Sequence, residues 1–158
     1  MTSASDAPIE PLDRIDARIV EELRVDGRLS ISELARRVGL SKTPCQARLK
    51  RLMADGVIRG FRAVIDPQKL GLAHIAFTQV KLSDTREKAL EAFRRAVLQV
   101  EEVEECHMIA SNFDYLLKIR TADILAYRRV LGEHISSLPN VASTSTYVAM
   151  ETIIEHGA

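Results

Sequence analysis

Apolar residues recur at helical spacing three times in the first third of the chain. Leu12, Ile15, Ile19 and Leu23 form one stripe, and Asp13 stands where it can cap the helix start. Ile31, Leu34 and Val38 form a second, shorter stripe. Ser30 and Glu33 before it match a capping box, and Gly39 supplies a left-handed stop. Cys45, Leu49 and Leu52 define the inward face of a third helix that Ser41 can cap and Gly56 ends. Pro44 falls in its first turn, where a missing N–H costs little. Val57 to Ile65 is rich in strand formers but interrupted by Gly60, and reads as a wing.

After the turn Asp66-Pro67-Gln68-Lys69 the pattern changes. Ala73 to Leu82 reads as a strand, and Asp84 with Glu87 as a second capping box. The helix it opens carries Leu90, Phe93 and Val97. Val103 to Ala110 and Tyr115 to Thr121 read as two strands joined through Ser111-Asn112-Phe113-Asp114. Asp123 caps another helix, with Leu125, Val130, Leu131 and Leu138 available for packing. Pro139-Asn140 turns the chain into a last strand, Val141 to Met150. The order β-α-β-β-α-β is that of a ferredoxin-like unit. The expected fold is therefore α+β: a winged helix-turn-helix over 10–65, a linker over 66–72 and a ferredoxin-like domain over 73–158, behind a disordered leader at 1–9. Helices on one face of a sheet leave the other face open, and its apolar groups call for pairing with a second subunit.

Two short helices around Gly39-Leu40-Ser41 have helix-turn-helix spacing, with small Ala35 where they cross and Gly39 where positive φ is needed. Charge adds to this picture. The 158 residues sum to zero, with 22 basic and 22 acidic side chains. Residues 36–62, however, hold eight cations (Arg36, Arg37, Lys42, Arg48, Lys50, Arg51, Arg59, Arg62) against Asp55 alone. A local excess of that size attracts a polyanion. On the open side of the third helix lie Lys42, Thr43, Gln46, Ala47 and Lys50, flanked by Arg48 and Arg51. Gln, Lys and Arg can bond base edges, while hydroxyls and cations hold phosphates. The expected DNA-contacting set is Ser41, Lys42, Thr43, Gln46, Arg48, Lys50, Arg51 and Arg59. Arg48 and Arg51 have bracing the fold as a second reading.

The remaining composition narrows the class. No run reaches the ~18 apolar residues that span a bilayer, and the start lacks a basic segment leading into an apolar run. Cys45 and Cys106 are far apart and fit no metal spacing, as do His74, His107, His134 and His156. A reducing cytoplasm suits such a chain. Cys106 and His107 are neighbours on a strand, so they point to opposite faces and cannot pair as a catalytic dyad. Neither an enzyme, a metal site nor a cofactor is expected. An assembly protein without DNA is the other alternative, against which the cationic third helix argues.

At Leu12-Asp13-Arg14-Ile15-Asp16, Leu40-Ser41-Lys42-Thr43-Pro44-Cys45 and Asp55-Gly56-Val57-Ile58-Arg59-Gly60 the sequence resembles the leucine-responsive/asparagine regulator (Lrp/AsnC) family of transcription factors. The likeness continues through Glu105-Cys106-His107 and Asp114-Tyr115-Leu116-Leu117-Lys118 to Ser137-Leu138-Pro139-Asn140-Val141, and so covers about 10–155. It implies a DNA-binding winged helix-turn-helix, a ligand-sensing α/β domain, and dimers that assemble into tetramers or octamers. It also implies an amino-acid effector between dimers, at a pocket of hairpin and final strand. Here these positions are Met108, Ala110, Ser111, Asn112, Phe113 and Asp114, with Thr144 and Thr146. The family commonly has Gly-Asp where this chain has Ser111-Asn112, which bears on ligand choice. The overall texture is most similar to the proline-catabolism subgroup, which points to proline as effector.

Overall fold

The computed structural model describes residues 12–155, and the leader expected at 1–9 lies outside them. The chain divides into two compact units between Ala63 and Val64.

The first unit is three helices: α1 (Arg14–Val25), α2 (Ile31–Val38) and α3 (Lys42–Ala54). Their apolar stripes meet in one core of Ile19, Leu34, Ala35, Val38, Cys45 and Leu52, with Ile15, Leu23, Leu49 and Ile58 packed around it. Asp13 caps α1 by accepting from the amides of Ile15 and Asp16, both at 2.8 Å. Gly39 ends α2 at φ 75°, a left-handed geometry that glycine adopts without the Cβ penalty. Ser30 performs only half of the capping box. Its hydroxyl accepts from the Glu33 amide at 3.2 Å, while the Glu33 carboxylate turns to Arg36 and Arg37.

Ser41 occupies the cap position of α3 but makes no side-chain cap bond. A cap oxygen ordinarily accepts from the second or third helical amide, and here the third residue is Pro44, which has none. The wing expectation is corrected in form. Residues 59–66 carry neither helix nor strand among the described residues, since a ladder needs a second strand and this unit supplies none. Ile58 is tied back by its amide to the Leu52 carbonyl at 3.0 Å, and Phe61 lies against Gly27.

A 3₁₀ turn (Pro67–Leu70) opens the second unit. It continues as β1 (His74–Leu82), α4 (Glu87–Val97), β2 (Val103–Met108), β3 (Tyr115–Thr121), α5 (Ile124–Arg129) and β4 (Val141–Val148). The four strands pair antiparallel in the order β2-β3-β1-β4, so each helix crosses over one intervening strand, as in a ferredoxin-like unit. Ala76, Val80, Leu82, Tyr115, Leu117 and Ile119 face Leu90, Phe93 and Val97 of α4 and Tyr127, Val130 and Ile135 of the second crossover. Phe93 and Tyr115 stack with ring centroids 4.5 Å apart.

Four local expectations change. Asp84 does not cap α4. It folds into an Asx turn on the Arg86 amide (2.9 Å) and pairs with the Arg86 guanidinium, so the helix starts at Glu87. The second crossover helix loosens into π geometry over Val130–Ile135, and Leu125, in the α-helical turn before it, lies on the outside, 68% exposed. The outer ends of β2 and β4 stop two residues earlier than the pattern suggests, at Met108 and Val148. Finally, the sheet's second face is not bare. After β4 the chain follows β1, with the Ala149 amide on the Ile75 carbonyl at 2.9 Å, and brings Glu155 to Arg120 at 2.5 Å and to Lys118. Glu104 also pairs with Lys118 at 3.1 Å. Ile75 is buried, while Phe77 and Tyr147 on that face stay exposed.

Candidate nucleic-acid interface and effector site

The third helix sorts its polar residues by what lies behind them. Thr43, Gln46 and Lys50 are spaced as one helical stripe, with Lys42 beside it, and all four are exposed. Ser41, at the head of the helix, keeps its hydroxyl free of any cap. Arg48 and Arg51 point elsewhere. Arg48 bonds Asp16 at 2.9 Å and also Asp13, and Arg51 bonds Asp16 through its other carboxylate oxygen. Asp16 is only 2% exposed, so these guanidiniums neutralise a carboxylate buried in α1 and clamp α3 to it. The second reading of both arginines, as braces, is the geometry found.

Arg36 and Arg37 are committed in the same way. Glu33 receives Arg36 at 2.6 Å and Arg37 at 2.8 Å, and Glu22 receives Arg37 at 3.0 Å. Four of the eight cations in 36–62 are thus balanced by acids at 13, 16, 22 and 33, outside that window. Lys42, Lys50 and Arg59 have no ion pair among the described residues, and Lys42 and Lys50 lie beside and on the exposed stripe of α3. The cationic excess is therefore smaller than the sequence window suggests, and Lys42 and Lys50 share an exposed helix face with Thr43 and Gln46. Asp16 is a buried ion-pair anchor that the sequence pattern did not single out. Its signal was a carboxylate three and seven residues before Ile19 and Leu23, on the buried stripe of α1.

Hydrogen bonds from Arg36 and then Arg37 hold the Glu33 carboxyl down at about 2, from an ordinary 4.5. The Asp16 amide, followed by Arg48, lowers the Asp13 carboxyl. A depressed carboxyl adds stability that is complete above its unfolded value and is lost as pH falls toward the folded one. Helix content followed from pH 5 to pH 2 should show the three-helix unit weakening progressively across that interval. Glu33→Gln should flatten that dependence.

In the second unit the eight expected effector positions do not gather in one hollow of the single chain. Met108 ends β2, exposed, with its sulfur 3.9 Å from Arg94. Ala110, Ser111, Asn112 and Phe113 form the hairpin tip, closed by the Ile109 amide on the Asp114 carbonyl at 2.9 Å. Ser111 donates to Asn112 at 3.0 Å. Asp114 is engaged within the sheet. Its amide donates to the Val80 carbonyl at 2.9 Å, and its carboxylate accepts from the Leu82 amide at 2.7 Å, beside the β1–β4 register shift. Thr144 and Thr146 pair with Val80 and Thr78 across the other edge of β1. Thr146 bonds the Tyr127 hydroxyl at 2.5 Å. One strand, β1, therefore separates the hairpin from β4.

A helix-turn-helix with an unpaired polar stripe, joined to a β-α-β-β-α-β unit, defines a DNA-binding protein with an appended α/β regulatory domain. The winged helix-turn-helix DNA-binding model matches residues 12–59, and the Lrp/AsnC ligand-binding domain model matches 75–158. The chain is 65% identical over 148 residues to the proline dehydrogenase transcriptional activator of Rhizobium radiobacter, covering 94% of this chain and 95% of that protein. To the protein of the same name from Rhodobacter capsulatus it is 52% identical, covering 93% and 96%. A transcriptional regulator from Neisseria meningitidis, solved with L-methionine, superposes with TM-score 0.84 at 31% identity, covering 93% and 94%. The chain belongs to the Lrp/AsnC family: it is a DNA-binding transcriptional regulator with a ligand-binding domain, not an enzyme. No helix among the described residues is long and apolar enough to cross a membrane.

Proposed function

We infer that this regulator works in the cytoplasm, reading its operator with α3 and answering to a small amino acid, L-proline first among the candidates. The exposed stripe of Thr43, Gln46 and Lys50 carries this reading: its side chains make no hydrogen bond or ion pair among the described residues. In it, Gln46 and Lys50 reach base edges in the major groove. Lys42, Thr43, Ser41 and Arg59 hold phosphates, and Arg48 and Arg51 set the angle of α3. Residues 10–65 read DNA, 66–72 link, and 73–158 sense and assemble. Phe77 and Tyr147 support pairing of the sheet face with a second copy, and further pairing to tetramers or octamers would close the effector site.

That site consists of Met108, Ala110, Ser111, Asn112, Phe113 and Asp114 with Thr144 and Thr146. Two features favour an amino acid there: the methionine bound to the Neisseria relative, and the hydroxyls and amides that suit a zwitterion. The names of the Rhizobium and Rhodobacter relatives favour proline. Calorimetry of the full chain against proline, leucine, asparagine, lysine and methionine tests this, alongside sedimentation and DNA binding. Proline should bind and shift assembly or DNA geometry, by its differential affinity for two states. If none binds at millimolar concentration and none alters either property, the second unit is an assembly domain without a sensor.

A further inference from the structure

Three hydroxyls form a chain from the centre of the sheet to its edge. Thr78, fully buried on β1, lies 2.9 Å from the Tyr127 hydroxyl of α5, which lies 2.5 Å from the Thr146 hydroxyl on β4. Tyr127 is 3% exposed, whereas Thr146 sits on an exposed edge strand. Thr78 and Tyr127 have no other side-chain hydrogen bond among the described residues. Three protons must therefore be distributed over two links.

Only one distribution leaves no buried hydrogen without an acceptor. If Thr146 donated to Tyr127 and Tyr127 to Thr78, the Thr78 hydrogen would be stranded in the core. If both threonines donated to Tyr127, the tyrosine hydrogen would be stranded instead. A buried donor without a partner carries the full cost of its lost hydration, and an exposed one does not. The chain thus runs from Thr78 to Tyr127 to Thr146, and the last hydrogen points outward from Thr146. Each link polarises the next, so the terminal hydroxyl is a stronger donor than an isolated threonine.

We propose that Thr78 and Tyr127 are positioning residues that turn Thr146 into a fixed, polarised donor for the carboxylate of the amino-acid effector. This rests on the sensing role given above and adds which end of the ligand meets β4. It also assigns a part to two residues outside the expected effector set. A free carboxylate takes such a hydrogen better than the neutral oxygen of a carboxamide, because charge-assisted bonds are the stronger ones.

The test titrates the full chain by calorimetry with L-proline and L-methionine and with L-prolinamide and L-methioninamide. Wild type should prefer the acids. Thr146→Val should bind them roughly tenfold or more weakly and narrow the preference for acid over amide, and Thr146→Ser should restore both. Tyr127→Phe should weaken binding in the same direction, and adding it to Thr146→Val should cost nothing further, since it acts through that hydroxyl. Near-ultraviolet dichroism, which reports the tyrosines of the second unit, should remain that of a folded unit in Thr146→Val and Thr146→Ser, which separates loss of the donor from loss of the fold. If wild type binds the acids and Thr146→Val binds them equally well, the relay proposal is overturned while the sensor stands. The relay is overturned in the same way if Thr146→Val changes assembly but not ligand affinity, because the carboxylate then belongs to another protein chain. If wild type binds none of the four, the sensing role and the relay fall together.

Discussion

Replacing Phe93 by alanine should destabilise the α/β unit by about 3–5 kcal/mol, the range for emptying a large aromatic site in a core. Phe93 has no exposed surface, and it stacks on Tyr115 at 4.5 Å between α4 and the sheet. Leu90 and Val97 are held by their own helix, so the surrounding side chains have little freedom to collapse into the space. The three-helix unit has a separate core and should keep its own stability. Denaturant unfolding of the variant should therefore show the second unit melting before the first. Near-ultraviolet dichroism, dominated by tyrosines of the second unit, should change at lower denaturant than far-ultraviolet helicity. If the two signals shift together by less than about 1 kcal/mol, the site repacks and Phe93 is not a keystone of that core.

The pattern of apolar positions made nearly every element legible, because burial of one face is what each element is for. The stripes of α1, α2 and α3 and the alternation in β1 and β3 depend on spacing alone. What escaped depends on partners distant in sequence or on competition between nearby ones. Whether Ser41 caps depends on Pro44 having no amide, a local fact that the cap pattern alone does not weigh. Whether Asp84 caps α4 depends on a two-residue turn beating a three-residue one. Whether 57–65 makes a ladder depends on a second strand, which the described residues of the first unit do not supply.

The candidate site was legible in identity and less so in purpose. An exposed stripe on α3 follows from its buried stripe, so Thr43, Gln46 and Lys50 could be read directly. A charge window along the sequence, by contrast, cannot see Asp13 and Asp16, more than thirty residues away, folding under Arg48 and Arg51. The effector positions came from resemblance, and the sheet order puts β1 between the two groups of them. Tyr127 could have been flagged as a polar tip in an apolar register. Its partners Thr78 and Thr146 are 49 and 19 residues away, and only the sheet brings them together.

Operator affinity should separate the readers from the braces. Gln46→Ala should cost about 1–3 kcal/mol of operator binding, the worth of a good bidentate base contact, and should relax the base preference at one position. Lys50→Ala should cost a comparable amount. If it also holds a phosphate, the slope of log affinity against log salt should fall by about one unit. Neither change should alter the unfolding midpoint, because both side chains are exposed and make no ion pair among the described residues. Arg48→Ala should behave differently. It removes the bond at 2.9 Å to Asp16, a carboxylate 2% exposed, and leaves Arg51 to neutralise it alone. The expected loss is about 1–3 kcal/mol of stability in the three-helix unit, with DNA affinity falling only as far as the unit loosens and the salt slope unchanged. Fluorescence anisotropy with an operator fragment over a series of salt concentrations, beside denaturant unfolding of each variant, measures all of these quantities. If Arg48→Ala lowers the salt slope by a full unit at unchanged stability, Arg48 leaves Asp16 for a phosphate on binding and belongs with the readers.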